Sequence, residues 1–296
     1  MSETPLIPDR ETFAGQFAAG GVVALSTELA ADYETPLSAF EKINDGHYAF
    51  LLESAETRED AGRYSFLGSS PRLVFESRGQ EVTLTDLRNG TTKTLTAEGD
   101  PLAELEKLMG AYGSVEANGL PVFSGGAVGY LSYDAVRYFE PTVPEPPEDA
   151  LGVPDMVFMV ADDVLIFDHR HRRIHVVANL VVSEYDDVDA AYAAARTRID
   201  ALIDKLSQPI HVKPVITHAP PVPVEPESNT SKEEYCAMVE KAKEYIRAGD
   251  IFQVVPSQRF AVDYEGPPIN LLRALRHVNP SPYMFCLQFP GGFSLV

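Results

Sequence analysis

Up to about Ser207 the apolar residues fall in short runs of the kind that build sheets. Phe50-Leu-Leu, Leu73-Val-Phe, Val82-Thr-Leu and Val122-Phe are apolar or alternating stretches bounded by Gly, Ser, Asn or Pro, and that punctuation predicts strands. Met156–Val160, Val164–Phe167 and, after a basic turn, Ile174–Val182 predict further sheet strands. Helices interrupt them. Asp100-Pro101 supplies an N-cap and a first-position proline, and Leu102, Leu105, Leu108 and Met109 form one stripe. Val188, Tyr192, Ala195, Ile199, Leu202, Ile203 and Leu206 form a second stripe. Later, Ser231 and Glu234 have capping-box spacing, Tyr235, Met238, Val239, Ala242 and Ile246 share a face, and Gly249 closes the helix. Ile251–Val255 reads as a buried strand, and Tyr283–Phe289, Pro290-Gly-Gly and Phe293–Val296 read as a hairpin. Phe285, Leu287, Phe289 and Phe293 alternate along it, which predicts an exposed apolar face. Because the hairpin stops in mid-strand, the expectation is that its domain has been cut.

Prolines divide this pattern. Pro209, Pro214, Pro220, Pro221, Pro223 and Pro226 lie between Ser207 and Thr230; fixed φ and missing donors make that stretch an extended crossing segment. The expected organisation is a β-rich domain over 20–206, a proline-rich linker over 207–230 and a second unit over 231–296. A smaller cluster, Pro141 to Pro147, separates two strand-rich stretches of the first unit.

Composition narrows the class. With 296 residues, 45% hydrophobic and 23% charged, the chain is globular rather than disordered. No run approaches the ~18 apolar residues of a membrane span, and the N-terminus lacks a basic region followed by an apolar one, as a signal peptide would have. Its 24 Lys and Arg against 44 Asp and Glu leave a net charge of −20, which disfavours nucleic acid and other phosphate-rich partners. Cys236 and Cys286 are the only cysteines, in keeping with a reducing cytosol. Both read as core residues rather than nucleophiles.

Candidate chemistry is sparse. Gly125-Gly-Ala-Val-Gly129 lacks the Lys-Ser/Thr of a phosphate loop and reads as glycines that allow close backbone packing. His169, His171 and His175 are interleaved with Arg170, Arg172 and Arg173, so a solvated hairpin turn fits better than a metal site. Glu53-Ser54 at a strand end, Gln253 inside an apolar run and the restricted Asn279-Pro-Ser-Pro-Tyr-Met284 loop are the polar features that need a partner or a ligand.

Five motifs in one order change the weight of these features. Leu51-Leu-Glu-Ser54, Gly62-Arg-Tyr-Ser-Phe-Leu-Gly68, Gly125-Gly-Ala-Val-Gly-Tyr-Leu-Ser-Tyr-Asp134, Ala248-Gly-Asp-Ile-Phe-Gln-Val-Val255 and Asn279-Pro-Ser-Pro-Tyr-Met284 together resemble the large subunit, component I, of anthranilate synthase. The match runs from about Thr35 to Val296. The related aminodeoxychorismate synthase large subunit shares much of the pattern, and a non-catalytic tryptophan-binding module is the alternative from another class. The Leu-Leu-Glu-Ser and Asn-Pro-Ser-Pro-Tyr-Met pair favours the anthranilate enzyme.

The resemblance implies an α+β chain with a β-rich regulatory domain followed by the start of a chorismate-utilising domain, in the cytoplasm. It implies conversion of chorismate and ammonia to anthranilate and pyruvate with Mg2+, the ammonia coming from glutamine through a separate amidotransferase subunit. By the same resemblance the Mg2+ ligands lie beyond residue 296, and Gln253 alone represents the reaction site; an amide there cannot take a proton from water, which suits ammonia as nucleophile. Feedback inhibition by tryptophan is implied at Glu53 and Ser54, which would meet the ammonium group or line its pocket. Pro282, Tyr283 and Met284 would contact the ligand, with Asn279 and Pro280 shaping the loop.

Overall fold

The computed structural model describes residues 4–54, 62–112, 119–144, 146, 148–215 and 223–296. Pro147, Pro220 and Pro221 of the two proline clusters lie outside them. In chain order the elements are α1 (Arg10–Ala19), β1 (Val22–Ala30), α2 (Pro36–Ile43), β2 (Ala49–Ser54), β3 (Tyr64–Ser69), β4 (Leu73–Arg78), β5 (Glu81–Asp86), β6 (Thr91–Thr96) and α3 (Pro101–Tyr112). They continue with β7 (Gly126–Leu131), β8 (Met156–Ala161), β9 (Asp163–Asp168), β10 (Arg173–Val181), α4 (Val188–Leu206), β11 (Glu227–Ser228) and α5 (Lys232–Ala248). Last come β12 (Phe260–Ala261), α6 (Pro268–Val278), β13 (Tyr283–Gln288) and β14 (Ser294–Leu295). The fold is α+β.

Two compact units emerge: Met1–Lys213 with Leu271–Val296, and Pro214–Asn270. The first holds an antiparallel seven-stranded sheet, β1-β10-β9-β3-β2-β13-β14, and an antiparallel five-stranded sheet, β6-β5-β4-β8-β7. Residues 271–296 belong to this unit because β13 pairs with β2 along its whole length.

Strand alternation gives the seven-stranded sheet two apolar faces. One face meets the five-stranded sheet: Phe50, Val164, Ile166, Val177 and Leu287 share a buried cluster with Val74, Val128, Val157 and Met159. The opposite face carries helices, with α4 packed on β10 and β1 and α2 on β2 and β3. Phe40, Ile43, Ala191, Ala195 and Ile199 are buried there. On its far side the five-stranded sheet packs Phe75, Val82 and Met156 against Leu105 of α3.

The glycine motif does what its composition predicts. A Cβ on Gly129 would stand 1.8 Å from the Val157 carbonyl oxygen of β8, and one on Gly125 would stand 2.5 Å from the Asn179 amide nitrogen. Backbone approach, not phosphate, accounts for these glycines. The helix signals also hold: Leu102 N–H donates to the Asp100 carboxylate, and both halves of the Ser231–Glu234 capping box form, with Gly249 left-handed at the other end.

Several expectations fail. Val122-Phe is not a strand, and Val122 is fully exposed, because the chain there crosses to β7 before any pairing begins. Ile251–Val255 is neither strand nor buried; among the described residues it has no partner strand, and an unpaired apolar run gains no ladder hydrogen bonds. Cys236 is exposed on α5, where only Tyr235, Val239 and Ala242 of the expected apolar face are half-covered. Cys286 is in the core as expected, and burial pushes its thiol up to about 11. The last strands are less exposed than their alternation predicts. Leu287 and Phe289 are buried, because β13 docks on β2 and Phe289 packs against Tyr130 and Phe293.

Candidate functional site

The pairing of β2 with β13 brings two of the sequence motifs together. Ser54 lies opposite Tyr283, Glu53 opposite Met284 and Leu52 opposite Phe285. At this end of the sheet a pocket of about 710 Å³ opens, bordered by Leu52, Glu53, Ser54, Tyr283, Met284 and Phe285 on these two strands. Tyr64 and Phe66 of β3, Gly62 and Arg63 just before it, and Arg170 from the β9–β10 turn also border it. The walls are largely aromatic and aliphatic with a few polar groups, the usual character of a small-molecule site.

Alternation assigns these residues to faces. Leu52, Ser54, Tyr64, Phe66, Tyr283 and Phe285 share the face that, further along the strands, meets the second sheet. Ser54 Oγ donates to the Pro282 carbonyl at 3.4 Å, a long bond on a half-exposed side chain. Glu53 and Met284 alternate to the helix-bearing face, and both are buried. There Arg276 of α6 contacts Glu53 Oε1 at 3.1 Å, while Oε2 has no hydrogen-bond partner among the described residues. Burial pushes the Glu53 carboxyl above the ordinary glutamate range, and the Arg276 guanidinium only partly offsets it. Glu53 therefore borders the pocket while its carboxylate fastens α6 to β2.

The two arginines of the pocket differ in what holds them. Arg63 donates to Asp168 through Nε at 3.2 Å and Nη2 at 2.7 Å, and lies over the Tyr64 ring. His171 closes the cluster, with Nδ1 2.9 Å from the same carboxylate. Burial works against the charge on Asp168, but the hydrogen bonds from Arg63 and His171 outweigh it and hold the carboxyl well below its usual range. Arg170 is exposed and makes no ion pair or hydrogen bond among the described residues.

Of the residues expected at a tryptophan site, Glu53, Ser54, Tyr283 and Met284 border this pocket. Asn279, Pro280 and Pro282 do not; they are exposed, and Asn279 N–H donates to Leu275 O as α6 ends. Gln253 is exposed in the other unit. Sequence reasoning missed Leu52, Arg63, Tyr64, Phe66, Arg170 and Phe285. The Gly62–Gly68 motif carried three of them, and the basic turn weighed as a metal site carried Arg170.

Comparison with known proteins settles the family. Residues 86–296 match the family described as "chorismate binding enzyme". The chain belongs to that family. Among curated relatives it is similar to anthranilate synthase component 1 of Acetivibrio thermocellus, 39% identical over 93% of this chain and 55% of the relative. The Pseudomonas putida component 1 is 39% identical over 97% of this chain and 58% of that protein. A probable component 1 from Schizosaccharomyces pombe is 41% identical over 88% and 49%. The crystal structure of anthranilate synthase component I from Streptococcus pneumoniae superposes with a TM-score of 0.62 at 27% identity, covering 78% of this chain and 48% of that one. The chain thus spans about half the length of the relatives it matches.

Membership of the chorismate-binding family raises the question of Mg2+, and the residues here do not answer to it. Among the described residues no group of three or more His, Cys, Asp or Glu side chains could hold a metal ion. No helix among the described residues is long and apolar enough to cross a membrane.

Proposed function

We propose that this member of the chorismate-binding family carries the tryptophan-sensing part of an anthranilate synthase large component. In the complete enzyme, chorismate and ammonia give anthranilate and pyruvate in the cytosol, with Mg2+ as cofactor and with ammonia released from glutamine by a separate amidotransferase subunit. Tryptophan, the end product, binds in the pocket where β2 meets β13 and inhibits. Gln253 belongs to the wall of the reaction site, where a neutral amide leaves the nucleophilic ammonia unprotonated.

The observation that carries the inhibitor reading is the register of β2 against β13. It places Ser54 against Tyr283 and Leu52 against Phe285 beside a pocket of about 710 Å³. Phe66, Tyr64, Leu52 and Phe285 supply apolar and aromatic surface for an indole ring. Ser54 and the strand-end backbone supply polar partners for an amino-acid group, and Asn279, Pro280 and Pro282 fix the turn that delivers Tyr283 and Met284 to the sheet.

Titration calorimetry of the 296-residue chain with L-tryptophan tests this. Saturable binding of one equivalent is expected, with L-phenylalanine binding more weakly. Absence of binding up to millimolar tryptophan overturns the inhibitor site. For the complete enzyme, a product assay that finds aminodeoxychorismate rather than anthranilate overturns the reaction assignment.

A further inference from the structure

We infer that Arg170 is the carboxylate anchor of the β2–β13 pocket, so that the pocket selects free α-amino acids over their decarboxylated or amidated forms. The inference rests on the tryptophan reading for the class of ligand, and adds the residue that sets its charge specificity.

Among the described residues two guanidiniums border the pocket, and of these Arg63 is committed. Arg63 gives Nε and Nη2 to Asp168 and shares that carboxylate with His171. Glu53, the acid among the described residues that border the pocket, is buried on the opposite face against Arg276. Among the described residues this leaves the pocket face with one uncompensated positive charge, on Arg170. In a chain of net charge −20, a carboxylate is repelled from most of the surface and settles only where a local cation faces it. A guanidinium suits that role, since its fork of donors matches the two oxygens of a carboxylate.

The turn that carries Arg170 is also pinned on both sides. His169 N–H donates to Arg63 O at 2.9 Å, and His171 N–H donates to the Asp168 carboxylate at 3.0 Å. Arg172, held in the left-handed region at φ 52°, accepts from Ala31 N–H through its carbonyl at 2.9 Å. The backbone on either side of Arg170 is fixed before any ligand arrives, which lowers the ordering cost of using its side chain.

The experiment compares L-tryptophan, L-tryptophanamide and tryptamine on the 296-residue chain by titration calorimetry, using displacement of tryptophan where direct heats are small. In the unaltered chain, tryptophan binds at least about tenfold more tightly than either analogue, both of which lack the carboxylate. Arg170→Gln weakens tryptophan at least about tenfold and leaves tryptamine within about twofold, whereas Arg170→Lys keeps part of the preference. Melting curves confirm that both variants fold. The proposal is overturned if Arg170→Gln leaves tryptophan affinity unchanged, or weakens tryptophan and tryptamine equally. Loss of the anchor alone leaves tryptophan binding by the unaltered chain intact; no tryptophan binding by that chain removes the site reading and this inference together.

Discussion

Ser54→Phe separates a pocket residue from a structural one. Ser54 ends β2, is half-exposed and makes one long hydrogen bond, Oγ to the Pro282 carbonyl at 3.4 Å. Losing so weak a contact costs the fold about 0.5 kcal/mol at most, and an aromatic residue is at home on a strand surface. The opposing residue, Tyr283, is 71% exposed, so the pair has room for a second ring. The melting temperature should therefore stay close to that of the unaltered chain. The pocket pays differently: the ring enters the space between Leu52, Phe66 and Phe285.

Removing the hydroxyl takes away a hydrogen bond worth about 0.5–1.5 kcal/mol. Filling the ligand's volume adds a steric cost of about 1–3 kcal/mol. Together these weaken tryptophan roughly tenfold to a thousandfold. Ser54→Ala removes the hydrogen bond without the bulk and should cost only about twofold to tenfold. Calorimetric titration and a melting curve on the same preparation give both quantities. Unchanged affinity in Ser54→Phe refutes the site. A collapse of melting temperature together with affinity refutes the reasoning as well, since it makes Ser54 a packing residue.

Gly129→Ala places a methyl where β8 backbone already stands, so denaturant unfolding should show a loss of about 3 kcal/mol or more. Gly110→Ala in α3, with open space around it, should instead gain about 0.5–1 kcal/mol; equal effects at the two glycines would remove the packing explanation. Glu53 tests the buried carboxyl through pH. Its folded-state affinity for a proton is raised, so its contribution to stability is greatest below the ordinary glutamate range and is lost as pH rises through the raised value. Urea unfolding of wild type and Glu53→Gln between about pH 7 and about pH 4 should show wild type gaining on the variant as pH falls; a constant difference, or the opposite slope, contradicts the assigned burial.

Where periodicity decided an element, the sequence was legible. The stripe from Val188 to Leu206 became α4, and the Ser231–Glu234 box became the start of α5. The alternating run after Asn279 became β13. Each signal there is local: a cap, a 3.6-residue stripe or a turn. Ile251–Val255 shows the limit, because hydrophobicity alone says that a segment would gain from burial, not that a partner strand is at hand. Of the residues that border the pocket, the sequence motifs named Glu53, Ser54, Tyr283 and Met284, but not those of β3 or the β9–β10 turn. Leu-Leu-Glu-Ser and Pro-Tyr-Met were paired only through the family resemblance, since nothing local says that strands so far apart in the chain share a ladder. Tyr64, Phe66 and Arg170 join them only through the order β9-β3-β2-β13, which no local pattern specifies.

The same alternation explains why one motif can serve two purposes. Successive residues of a strand face opposite sides of the sheet, so Ser54 can look into the pocket while Glu53, its neighbour, ties down α6 from behind. Ser54 and Leu52, which border the pocket, thus share one short stretch of backbone with Glu53, whose carboxylate meets Arg276. That carboxylate is poorly compensated, with one oxygen lacking a partner and its proton affinity raised. The sheet register thereby makes the pocket-lining strand and the helix-anchoring strand one and the same.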